Sequence, residues 1–288
     1  MSLLRRVWDV AYQTVREFLD DGGPHLAAGL AYYGVLAIAP ALLIASNAAG
    51  RVLGEAAAEG QLLEVLSVLL NEEAARLFES LLIEIAQDTT TSTGAALFGV
   101  LLLLSAVAAA FNAFRRSLDM LSRVPRPEKA SWRVVTRRTL LPFVLALLAV
   151  VALAIAVVMS TVVPAVDMLL HGEWAALDAM QRAWSWLLPI LTATVVFTLL
   201  FRVVPDARVS WRSALIAGVA TGVLFTVGMQ LLALYLGMSR WTTFYGVFGA
   251  FVALLLWVYY SAQIALVGGK LAYVVARTRG EDLHHAGQ

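Results

Sequence analysis

The chain has 288 residues, of which 60% are hydrophobic and 14% charged, and its mean hydropathy is +0.79. That is more apolar surface than a water-soluble fold can bury, so lipid must serve as part of the solvent. The formal net charge of +1 is uninformative until its distribution is read, and the lack of cysteine excludes disulfides and thiolate metal sites.

At the N-terminus, Arg5 and Arg6 are followed by Trp8, Asp9 and Gln13 rather than by an apolar run with a small-residue cleavage site. Residues 2–21 are therefore not a cleavable signal. Leu4, Val7, Trp8, Ala11, Val15, Phe18 and Leu19 recur at helical spacing, which predicts an amphipathic helix on the inner membrane face. Asp20, Asp21, Gly22, Gly23 and Pro24 then form a turn, with Pro24 suited to a helix's first position.

A hydrocarbon core about 30 Å thick takes roughly 20 apolar helical residues to cross. Six stretches reach or approach that length: residues 27–49, 94–113, 140–163, 184–201, 213–236 and 247–269. Their connections are too short for a second folded domain. The predicted fold is all-α, one integral membrane domain over residues 1–288 built as a polytopic bundle of six transmembrane helices, with a tail at 270–288.

The connection between the first two spans carries Glu55, Glu59, Glu64, Glu72, Glu73, Glu79, Glu84 and Asp88 against Arg51 and Arg76. Part of it reads as a helix, with Asn71 as cap and Ala74, Leu77, Phe78, Leu81, Leu82 and Ile85 on one side. An acidic helix suits the outer mouth of the bundle or an envelope protein partner better than anionic lipid. The next connection is basic, with Arg115, Arg116, Arg123, Arg126, Lys129, Arg133, Arg137 and Arg138 against Asp119 and Glu128. Six spans with both termini in the cytoplasm put all the basic residues inside except Arg51, Arg76, Arg182 and Arg240.

Polar groups inside the spans are few. Pro40 interrupts the first span and frees a backbone carbonyl. Asn47, Asn112, Gln230 and Gln263 are the strongest side-chain dipoles, each explained most simply as a hydrogen bond between helices. Tyr32 and Tyr33, two turns before Pro40, single out the first span. Together, Tyr32, Tyr33, Pro40, Asn112, Gln230 and Gln263 are candidates to line one cavity. Arg115, Arg116, Arg202 and Arg212 are candidates for its inner rim, where a guanidinium grips a phosphate in two places. Lys270, near the inner end of the last span, is expected to snorkel to the headgroups. Gly218 and Gly222 read as a close-packing pair. No ionisable residue sits at the centre of a span, which disfavours proton coupling through a buried carboxylate.

Catalytic signatures are not found. His25, His171, His284 and His285 have no zinc-ligand spacing, and Gly268, Gly269 and Lys270 are followed by Leu271 rather than by the Ser or Thr of a phosphate loop. The expectation is a protein without enzyme activity, metal or cofactor. A basic loop is already explained by topology, so no nucleic-acid partner is expected.

Certain residues resemble a known family. Ala27, Ala28, Gly29, Leu30, Ala31, Tyr32 and Tyr33, followed by Pro40 and Leu42, are similar to the first-span signature of the YihY/BrkB family of bacterial inner-membrane proteins. Phe111, Asn112, Phe201, Arg202, Pro205, Trp211, Gly218, Tyr245, Gly246, the run from Leu254 to Tyr259 and Gly268 fit it as well. Where that family usually has an acidic residue after the final glycine pair, this chain has Lys270. The resemblance implies a six-helix inner-membrane protein, once called ribonuclease BN by misattribution. The expected role is transporter-like handling of a lipid or other amphiphilic envelope compound, with membrane lipids as partners. The alternative is a noncatalytic scaffold, and a ribonuclease ranks last.

Overall fold

The structure, a computed structural model, describes residues 3–36, 93–124, 175–205, 207, 209–238 and 241–281. They form six helices, α1 (Leu3–Asp20), α2 (23–36), α3 (Thr93–Ser122), α4 (Ala175–Val203), α5 (Trp211–Met238) and α6 (Trp241–Thr278). There is no β-strand among the described residues beyond a single bridge position at Ala207. The expected spans at 94–113, 184–201, 213–236 and 247–269 fall inside α3, α4, α5 and α6, and α2 covers the start of the first. Pro40, Asn47, the acidic segment, the third span at 140–163 and the basic residues from Arg126 to Arg138 lie outside the described residues. Trp211–Leu232 and Phe251–Thr278 are long and apolar enough to cross a bilayer, and Pro189–Val203 is a shorter apolar helix. Pro189 stands inside α4, a helix-interior proline that costs a backbone hydrogen bond.

The helix ends are set by local chemistry. After α1, the amide of Gly22 donates to the Leu19 carbonyl at 3.0 Å, and Gly22 takes a φ of 70° that an L side chain adopts only with strain. The following Gly23 lets the Phe18 ring fold over it, since a Cβ there would run into that ring. α6 closes through Gly280, φ 71°, whose amide donates to the Arg277 carbonyl at 3.0 Å while Glu281 N–H reaches the Ala276 carbonyl at 3.0 Å. This bond pair is the Schellman arrangement. α5 starts on Ser210, whose hydroxyl accepts from the Ser213 amide at 3.2 Å.

Contacts divide the chain into two compact units, one of Met1–Pro24, Arg115–Met229 and Ile264–Gln288, the other of His25–Phe114 and Gln230–Gln263. In the first, Phe197, Phe201, Ala217 and Ala272 are buried together, with Phe197 stacked on Phe201 at 5.8 Å and edge-on to Phe225 at 5.5 Å. Gly218 and Gly222 of α5 lie directly against Thr198 and Thr194 of α4, so this pair is taken up by packing within the unit. Gly268 and Gly269 of α6 make the same close approach to Thr221, Phe201 and Leu118. In the second unit, Gly34 of α2 admits Val258 of α6, and Ala27, Ala31, Ala253, Leu254 and Ala262 are buried.

Candidate functional site

α1 has three sides. Helical periodicity puts Thr14, Glu17 and Phe18 on one, Trp8, Tyr12, Val15 and Leu19 on the second, and Arg5, Asp9, Gln13, Arg16 and Asp20 on the third. The first side meets protein: Thr14 and Phe18 are buried, and Glu17 and Asp21, one turn apart, are mostly covered. The second is bare, with Trp8 71% and Leu19 57% exposed.

The carboxylates of Glu17 and Asp21 meet Lys270, which is 0% exposed. Its ammonium group has three hydrogens and three acceptors: Glu17 Oε2 at 2.8 Å, Asp21 Oδ2 at 2.7 Å and the Leu121 carbonyl at 3.0 Å. Two arginines complete the cage. Arg123 donates from Nε to Asp21 Oδ1 at 2.8 Å and sets Nη2 at 2.7 Å from the same oxygen, while Nη1 lies 3.8 Å from Glu17 Oε2. Arg277, from the last turn of α6, donates Nη2–H to Glu17 Oε2. Cations from α6 and from the residue after α3 thus converge on one carboxylate oxygen of α1.

Arg123 holds a left-handed backbone, φ 58°, unusual for a residue with a side chain. The Ser122 hydroxyl braces that turn, donating to the Asp119 carbonyl at 2.7 Å and accepting from the Val124 amide at 3.2 Å.

Burial works against ionisation of Glu17 and is the largest single influence on it. The hydrogen bonds from Lys270, Arg277 and Gln13 together outweigh it and hold the pKa at about 2. Asp21 follows the same logic, with burial opposed by Arg123 and Lys270 and the pKa lowered. The hydrogen bond to Asp21 raises the pKa of Arg123. A buried cluster of this kind is weak evidence for net stability, but removing one member leaves an uncompensated buried charge. A second carboxylate, Glu281, accepts from the Ser210 hydroxyl at 2.6 Å, the Ser210 amide at 3.0 Å and the Ser213 hydroxyl at 2.7 Å. Burial opposes its ionisation too, and these bonds lower its pKa.

Two expectations are corrected. Lys270 does not snorkel outward: Gly268 and Gly269 let α3 and α4 close in beside it, and the carboxylates of α1 supply its partners. Arg115 is buried at 8% exposure, with its Nε 3.9 Å from Asp119 one turn along α3, and so is turned toward protein rather than standing at an open rim. Arg116 and Arg212 are exposed, and the Arg202 guanidinium lies 5.6 Å over the Trp211 ring.

The other candidates belong to the second unit, Pro40 lying outside the described residues. Tyr32 and Tyr33 are exposed and touch edge-on at 5.6 Å, and Asn112 and Gln230 are exposed. Gln263 is half-buried and donates to the Tyr259 hydroxyl at 2.6 Å, a bond within α6 rather than between helices. Sequence reasoning missed Glu17, Asp21, Arg277, Ser210, Ser213 and Glu281 as structured polar sites, and counted Arg123 only as loop charge. The one available signal was the four-residue spacing of Glu17 and Asp21, off the apolar stripe.

The family described as virulence factor BrkB matches residues 14–288. The chain belongs to that family. A UPF0761 membrane protein of Pseudomonas aeruginosa (strain LESB58) is 38% identical over 114 residues, covering 38% of this chain and 27% of the relative. A UPF0761 membrane protein of Yersinia pestis (strain Pestoides F) is 35% identical over 122 residues, 41% of each. The BrkB-family chain thus spans well under half the length of these relatives. No solved structure matches it. It is a membrane protein, in keeping with its composition and with these relatives.

Proposed function

We propose that this BrkB-family chain is a six-span protein of the bacterial inner membrane, with both termini in the cytoplasm, that handles a lipid or other amphiphilic envelope compound without catalysing a reaction. The carrying observation is that Asn112 and Gln230, amides within stretches of membrane-spanning length, are exposed on the second unit. An amide facing hydrocarbon without a partner costs several kcal/mol, so such groups call for a polar partner at membrane depth. The headgroup of an amphiphile in transit is one, and the exposed Tyr32 and Tyr33 suit its interfacial part.

The bare side of α1 supports the orientation. Trp8, Val15 and Leu19 fit the acyl boundary of the inner leaflet, with Arg5 and Arg16 beside them for anionic headgroups. No metal, cofactor or nucleic acid enters this reading. The acidic outer helix expected between the first two spans is assigned in this reading to an envelope protein partner.

The test is translocation of fluorescent phospholipids in proteoliposomes holding the full chain, beside the variant Asn112→Leu/Gln230→Leu. Transport by the native chain that falls severalfold in the variant, at equal reconstitution, is the expected result. No transport by either, with the amides buried on association of two copies, leaves a noncatalytic scaffold.

A further inference from the structure

The cage around Glu17 does not balance. Among the described residues, three cations, Lys270, Arg123 and Arg277, contact two carboxylates, Glu17 and Asp21, while Asp20, which acts on Arg123 from farther away, has its own partner in Arg16. Elsewhere in the same unit, among the described residues, Arg16 with Asp20, Arg115 with Asp119 and Arg279 with Glu281 stand one to one. The surplus charge has a definite place. Lys270 is sealed and all three of its hydrogens are used, whereas the Arg123 and Arg277 side chains are 47% and 38% exposed. Each guanidinium has five N–H donors, more than its bonds to the carboxylates use.

We propose that Arg123 and Arg277 form a seat for one phosphodiester of an anionic phospholipid, whose single negative charge completes the neutrality of the cage. The pairing suits the geometry of guanidinium with phosphate. Three observations favour a lipid as the source of that phosphate. The chain is a membrane protein; Met120, one turn before Arg123 on α3, is 57% exposed and offers an acyl chain a contact; and the second side of α1 leaves Trp8, Val15 and Leu19 bare in the same unit. The carboxylates of α1 stay in place, so the lipid is a third anion and not a competitor. The seat depends only on membrane location and not on amphiphile handling, so either can fail without the other.

The test is native mass spectrometry of the full chain in detergent, titrated with phosphatidylglycerol, with phosphatidylcholine of the same acyl chains, and with inorganic phosphate. The native chain is expected to retain one phosphatidylglycerol, bound about tenfold or more tighter than phosphatidylcholine. Arg123→Gln/Arg277→Gln is expected to erase that preference. Glu17→Gln, which adds an uncompensated charge, is expected to raise affinity for phosphatidylglycerol severalfold, a gain that misfolding does not imitate. Equal retention of both lipids, an unchanged preference in the double variant, or a loss in Glu17→Gln overturns the seat. Displacement of the lipid by millimolar inorganic phosphate overturns its assignment to a phospholipid.

Discussion

Lys270 Nζ lies 2.7 Å from Asp21 Oδ2, across 249 positions of sequence, and this contact ties the last helix to the turn that follows the first. Burying an ammonium group this deeply costs several kcal/mol of hydration, which neighbouring carboxylates must offset. Asp21 and Glu17 do so together, which fixes α1 against α3 and α6 through their charged groups rather than through an apolar seam alone.

Replacing Lys270 with methionine keeps the approximate shape and removes the ammonium group, so that Glu17, Asp21 and the Leu121 carbonyl each lose a buried charged hydrogen bond. The loss is predicted to cost about 3–5 kcal/mol, read as a lower thermal midpoint in detergent. Adding Asp21→Asn to Lys270→Met is predicted to recover part of it, because the cage then loses one charge of each sign. A Lys270→Met protein as stable as the native chain removes the cage from the account of folding.

The cage also sets an acid limit. Glu17 is held at about 2 against an ordinary value of 4.5, and Asp21 is lowered as well, so the folded chain binds fewer protons than the unfolded chain at mildly acid pH. Stability from these groups is complete above the ordinary carboxylate range and falls away as pH drops from about 4.5 toward about 2. Thermal midpoints measured across that window are predicted to decline, with a shallower decline in Glu17→Gln. An identical slope in the variant places the acid sensitivity elsewhere.

α3 to α6 each enclose a stretch picked out by hydropathy alone, and those in α5 and α6 are long and apolar enough to cross a bilayer. α1 coincides with the run of apolar residues at helical spacing, but that stripe is divided, with Phe18 buried and Trp8, Val15 and Leu19 bare. The cage was not legible: its bonds join positions 102, 249 and 260 residues apart, and a single sequence records no such pairing. What could be read was partial. Glu17 and Asp21 share one side of α1 by spacing, and Arg115 has Asp119 one turn away, a local pair hidden when residues are tallied only by sign. Lys270 follows two glycines, yet small neighbours in the sequence do not say whether a long side chain beside them points out or is enclosed.

The three-sided character of α1 gives a depth prediction. Spin labels at Val15 and at Gln13, on the bare apolar side and the polar side respectively, are expected to differ in reconstituted bilayers. Val15 is expected to be relaxed by dissolved oxygen, which partitions into lipid, and Gln13 by a water-soluble nickel chelate. Equal accessibility to both at the two sites argues against α1 lying on the membrane.

Two glycines in helices are predicted to answer the same substitution with opposite signs. At Gly222 of α5, a Cβ would lie 2.8 Å from the backbone nitrogen of Thr194 and 3.1 Å from its Cα, so relief requires α4 to move and not merely a side chain to rotate. Gly222→Ala is therefore expected to destabilise by about 1–3 kcal/mol, the usual cost of overpacking. At Gly29 of α2 nothing among the described residues lies within 4 Å of the added carbon, and the helix gains an alanine in place of its most flexible residue. Gly29→Ala is expected to be neutral or to stabilise by up to about 1 kcal/mol. Thermal unfolding of both variants under one condition separates the two effects. A Gly222→Ala chain that melts with the native one means α4 and α5 have room to part, which the contact of Gly222 with the Thr194 backbone denies.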